Sequence, residues 1–124
     1  MLKQVTREDA RLYSLPGRDW WLLIGPETSD TTRLTVGLAQ FPPGSAPPGH
    51  VHDLEEEVIY ILAGEGELVT PEGVIQLRPG CAVFIPSGLH HATASTGDRT
   101  LELLSIFSPP VVPGAYEAAA DDGS

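Results

Sequence analysis

His50-Val51-His52-Asp53-Leu54-Glu55-Glu56-Glu57-Val58-Ile59-Tyr60-Ile61-Leu62-Ala63-Gly64 is the stretch that decides how this chain reads. It joins a polar block holding two of the four histidines to a run of β-branched and aromatic residues closed by a glycine. Residues 58–62 read as a strand, on which side chains two apart share a face, so Glu57, Ile59 and Ile61 point the same way. His50 and His52 are also two apart and converge on one point. An odd separation between His52 and Glu57 requires the chain to turn through residues 53–56 before that strand begins.

Outward from this stretch, short apolar runs alternate with Gly and Pro punctuation, and no helical period lasts beyond about two turns. Strands are expected at residues 20–24, 32–41, 58–62, 67–69, 74–77, 82–85, 90–94 and 100–107, with turns at 26–30, 64–66, 71–73, 79–80 and 95–98. Eight short strands at this spacing make an all-β domain of sandwich or jelly-roll type. The Pro-rich stretch 42–49 is read as an ordered loop, because both of its sides are needed for one core.

The 124 residues suffice for a single domain, 1–124, that removes roughly two-thirds of the unfolded chain's surface from water. Its barrel core is expected at about 20–107, flanked by an N-terminal arm 1–19, a C-terminal arm 108–116 and a disordered tail 117–124. No apolar run of signal-peptide or membrane-spanning length is present, and a cytoplasmic location is expected. Cys81, the single cysteine, permits no intrachain disulfide and reads as a small core residue.

The formal charge of -10 is unevenly spread. Residues 1–48 hold five basic and five acidic side chains, whereas 49–124 hold two basic and twelve acidic ones. That surface repels phosphates, which makes nucleic acid and anionic membranes poor partners.

A second block carries the other two histidines, and the two blocks have a joint spacing. Gly44, five residues, His50, one residue, His52, four residues, Glu57, six residues and Gly64 make the first. Gly80, five residues, Pro86, one residue, Gly88, two residues and His91 make the second, fifteen residues further on. This resembles the two-motif signature of the cupin superfamily in its small single-domain form. The Asn often found four residues after the last histidine is Ser95 here. The resemblance implies a double-stranded β-helix, or jelly-roll barrel, with one divalent transition metal per chain (Fe, Mn, Ni, Co, Cu or Zn). It selects His50, His52, Glu57 and His91 as ligands, over Glu55, Glu56 and His90. Neutral imidazole and carboxylate suit borderline first-row metals, and four donors leave two octahedral positions open. Small single-domain members commonly pair, so a homodimer is expected, with the segment before Trp20 and the 109–116 arm as contributors.

Parity outlines a pocket. Leu101, Leu103, Ser105 and Phe107 face inward if Glu102 faces solvent, and Leu34, Val36, Leu38 and Gln40 share a face on an earlier strand. Gln40 is then the polar group expected to orient a bound water or substrate. Glu57 is expected to serve as general base as well as ligand. A first shell with net positive charge favours a small anionic, chelating substrate. No nucleophile constellation and no phosphate loop is present, so chemistry falls to the metal. The leading expectation is a dioxygenase-type metalloenzyme. Beside it stand a non-redox isomerase, lyase or decarboxylase and a non-catalytic metal or ligand sensor. Counting against an enzyme, Arg33, Arg78 and Arg99 are the only basic residues after position 18, which leaves no evident cationic clamp.

Overall fold

The computed structural model describes residues 2–112. The end of the expected C-terminal arm and the whole tail lie outside the described residues. Apart from a 3-10 turn at Arg7–Asp9, the regular elements are strands: β1 (Arg11–Leu15), β2 (Arg18–Ile24), β3 (Thr35–Phe41), β4 (Glu56–Ala63), β5 (Gly66–Thr70), β6 (Gly73–Leu77), β7 (Ala82–Ile85), β8 (Ala92–Ser95) and β9 (Leu101–Ser108). They form two antiparallel sheets, one ordered β1-β2-β3-β9-β4-β7 and one ordered β6-β5-β8. This is the expected jelly-roll architecture.

Alternation explains which residues close the core between the sheets. On β9, Leu101, Leu103, Ser105 and Phe107 are all buried, as are Glu57, Ile59 and Ile61 on the neighbouring β4. The register sets Glu57 beside Phe107 on one side and Ile85 on the other, with Ile59 opposite Ser105 and Ile61 opposite Leu103. Leu68 and Leu77 from the smaller sheet complete the cluster.

Two expectations fail in the first half of the chain. The segment before residue 20 is not wholly an arm: β1 pairs with a β2 that begins at Arg18, and Tyr13 and Leu15 pack on the core. An edge strand needs only part of one face covered, so its apolar alternation is weak and hard to read. On β3 the parity is the reverse of that expected. Thr35, Gly37, Ala39 and Phe41 face inward, while Val36 and Gln40 are half-buried on the other face. The inward residues are small for a steric reason. The Trp20 ring lies directly over Gly37, where a Cβ would sit 1.8 Å from Cζ2. Larger apolar side chains are displaced to the outer face, where Val36, Ile106, Val58 and Phe84 stand in register across four strands.

Candidate metal centre

His50, His52, Glu57 and His91 converge, although they come from three separate segments. The loop 42–49 delivers His50 and is pinned to the strand following His91: Gly44 N–H donates to the Ser95 carbonyl at 3.1 Å, and Ser95 N–H to the Ser45 carbonyl at 2.8 Å. Ser95, the position that departs from the signature, thus ties the two blocks together through its backbone. His50 and His91 form a two-way backbone bridge, and Gly88 N–H donates to the carbonyl of His52 at 2.8 Å. The regular part of β8 begins at Ala92, so His91 enters from this bridge rather than from within a strand as expected.

The donor atoms of the four side chains all lie within 4.8 Å of one another. Glu57 Oε1 is 3.4 Å from His52 Nε2 and 3.2 Å from His91 Nε2. Two atoms bound at right angles to one ion, each about 2.1 Å from it, lie about 3.0 Å apart. The observed separations are close to that value, so the donor set fits a single ion. The His91 Nδ1 donates to the Leu89 carbonyl at 3.0 Å. A carbonyl can only accept, so Nδ1 carries a proton, and Nε2 is the nitrogen that would face a bound ion. Phe107 stands edge-on to His52 with ring centroids 5.0 Å apart, a contact that holds the imidazole plane.

The protonation states suit metal binding. Burial, aided by the nearby His91 and His52 rings, lowers the pKa of His50 to about 3, so its imidazole is neutral at pH 7. Burial is also the largest single influence on Glu57 and acts to raise it. The contacts from His52 and His91 together outweigh it, and Glu57 stays ionised, below the usual carboxylate range.

His50, Glu57 and His91 border a cavity of about 30 Å³, walled by Trp20, Phe41, Ile59, Ile85 and Phe107, with Thr93 and Ser105 as polar points. Gln40 does not reach it. Its register partner is Glu102, and Gln40 Nε2 donates to Glu102 Oε2 at 2.7 Å on the outer face. His90 is exposed, its ring lying against Gly49, and Cys81 packs partly buried on the core. One residue was missed. Arg18, 8% exposed, lines this same cavity. The period-two spacing of Arg18, Trp20 and Leu22 was its signal.

Residues 37–107 match the family model described as a cupin domain. This chain belongs to the cupin family, and its four-residue cluster could hold one metal ion, as in cupins. It is 36% identical over 85 residues to an oxalate-binding protein of Thermotoga maritima, a match spanning 68% of this chain and 70% of that one. It is 31% identical over 93 residues to protein SchB of Streptomyces halstedii, spanning 75% of this chain and 67% of that one. The structure of the polyketide cyclase RemF from Streptomyces resistomycificus superposes with a TM-score of 0.75 at 27% identity, covering 97% of this chain and 94% of that one. Among the described residues, no helix is long and apolar enough to cross a membrane.

Proposed function

We propose that this chain is a mononuclear metalloenzyme acting on the chelating end of a small organic anion. The observation that carries the reading is the convergence of three imidazoles and one ionised carboxylate, of which His50, Glu57 and His91 line a cavity with largely apolar walls. When bound, a divalent ion would polarise an oxygen-bearing guest and ease loss of its protons. The chain's own groups do the rest. His50, His52 and His91 hold the donor geometry, Glu57 is both ligand and the carboxylate placed to take a proton, and the apolar walls exclude water. A cavity of about 30 Å³ admits the reacting end of a guest, and any bulkier remainder extends outward.

Two chemistries suit this site. The non-redox form is placed first, supported by the likeness to a polyketide cyclase of matched length, since ring closure does not itself require an oxidant. The dioxygenase form is supported by the donor set, because three nitrogens and one carboxylate oxygen suit redox-capable ions such as Fe(II). The oxalate-binding relative supports the anionic character of the guest under either form. The discriminating experiment offers α-hydroxy acids, diketones and chelating phenols to Zn-loaded protein under strict anaerobiosis and to Fe(II)-loaded protein in air. Conversion by the anaerobic Zn form is expected. Conversion confined to the Fe(II) form, with dioxygen consumed in step, would establish the dioxygenase instead, because Zn(II) has a filled shell and cannot supply electrons.

A further inference from the structure

Trp20 stands opposite Ala39 in the β2–β3 register, but its ring leans one row along and covers Gly37, with Nε1 2.6 Å from where a Cβ would be. Gly37 pairs in turn with Ser105, and Ser105 with Ile59. Glycine puts no side chain between them, so the indole edge that carries Nε1 and the Ser105 hydroxyl share one stretch of the inward face. Both residues line the cavity, and both are buried, at 4% and 5% exposure.

Trp20 Nε1 and Ser105 Oγ make no hydrogen bond among the described residues, and neither atom is sealed inside the protein, so both open on the cavity. An indole N–H only donates and a hydroxyl donates or accepts, so the position between them suits an oxygen that accepts from both. A buried donor left without an acceptor is costly. The volume of about 30 Å³ is only roughly double what one water needs, which leaves little room for an intervening water beside a guest. The guest must therefore bring the acceptor itself. Glu57 stands diagonally from Ser105 across the β4–β9 pair, and residues so placed lie about 7–8 Å apart. A guest of a few heavy atoms spans that interval.

Building on the metal-dependent reading above, we propose that Trp20 and Ser105 are the specificity-determining residues of this site. The indole N–H and the hydroxyl together grip one oxygen of the guest, the one left over once two others face His50, Glu57 and His91. Oxalate, α-keto acids and α-hydroxy acids carry such an oxygen, because a carboxylate that chelates through one oxygen keeps its second. Chelators with two oxygens and a hydrocarbon back do not, and the pair discriminates against them.

The test uses the full chain loaded with Co(II) and titrated calorimetrically with oxalate, alongside Ser105→Ala. Cobalt content and the visible Co(II) spectrum, recorded before each titration, are expected to match wild type, while oxalate affinity of the variant falls about 10-fold. The Trp20 donor is read in wild type itself. In isotope-labelled, Zn-loaded protein, oxalate should move the Trp20 indole N–H resonance downfield and slow its exchange with water. Oxalate affinity of Ser105→Ala within about threefold of wild type overturns the proposal, as does an unmoved Trp20 resonance at saturating oxalate. An altered Co(II) spectrum in the variant before oxalate is added would make Ser105 a support of the cluster and overturn its role toward the guest, and absence of oxalate binding to loaded wild type overturns both roles. Failure of the metal reading looks different: wild type then takes up neither cobalt nor zinc before any anion is added, and the roles of Trp20 and Ser105 fall with it.

Discussion

His50 and His91 are joined backbone to backbone: His50 N–H donates to the His91 carbonyl at 2.9 Å, and His91 N–H returns the bond at 3.0 Å. Their rings, 4.6 Å apart at the centroids, are therefore carried by one hydrogen-bonded frame rather than by two independent loops. Side chains held this way would need little rearrangement to bind an ion, so the four-residue cluster is a property of the fold.

Gly37 should not tolerate even a methyl group. Its Cβ position lies 1.8 Å from the Trp20 ring, which is itself buried between Ala39, the cavity and the core. Gly37→Ala is expected to cost about 1–3 kcal/mol through overpacking, read as a lower urea midpoint at unchanged slope. An unchanged midpoint would mean that Trp20 is not where the structure places it.

Metal-free protein should lose stability on mild acidification. His50 stays neutral to about pH 3 in the fold, whereas its unfolded value is 6.5, so over that interval the unfolded chain binds the extra proton. Stability is then fully present above about 6.5 and falls as pH drops toward 3. Glu57, held below its unfolded value of 4.5, acts in the same direction at lower pH. Urea midpoints of chelator-treated protein at about pH 7.5 and about pH 5 should differ in that sense, and His50→Gln should reduce the difference. A midpoint that rises on acidification would reverse the argument.

The outer face of the larger sheet predicts self-association. Phe84 (57% exposed) and Tyr60 (40% exposed) head two apolar rows that continue in register through Val58 and Ile106 and through Leu104 and Leu38. Light scattering is expected to give twice the 13.2 kDa chain mass at micromolar concentration. The double variant Phe84→Glu, Tyr60→Lys should shift the protein to monomer. A wild-type mass of one chain would defeat the homodimer.

Much of this was legible in the sequence for a definite reason. On β4 and β9 one charged residue anchors the parity, Glu57 two residues from Ile59 and Glu102 as the solvent-facing member of its strand, so period-two alternation names the inward residues Glu57, Ile59, Ile61, Leu101, Leu103, Ser105 and Phe107 correctly. β3 was misread because both its faces are apolar, and the inner one carries the smaller residues to make room for Trp20. Hydrophobicity alone then chose the wrong side and took Gln40 inward with it. Arg18 was passed over because a charge at a strand's start reads as exposed until the burial of Trp20 sets the parity.

Gln40 offers a control on that correction. Its amide lies on the outer face against Glu102, so Gln40→Ala should leave metal content and turnover at wild-type levels. Loss of one partly exposed hydrogen bond is expected to lower stability by about 0.5–1.5 kcal/mol. A turnover defect at unchanged metal content would return Gln40 to the site.

The most direct measurement is elemental analysis of the purified chain beside His52→Ala and His91→Ala, each reconstituted with Fe(II), Mn(II), Co(II), Ni(II) or Zn(II) and desalted. With the four donor atoms of His50, His52, Glu57 and His91 within 4.8 Å of one another, wild type is predicted to hold about one ion per chain and each variant far less. Wild-type metal content in both variants, or no retained metal in the wild type, would contradict the account.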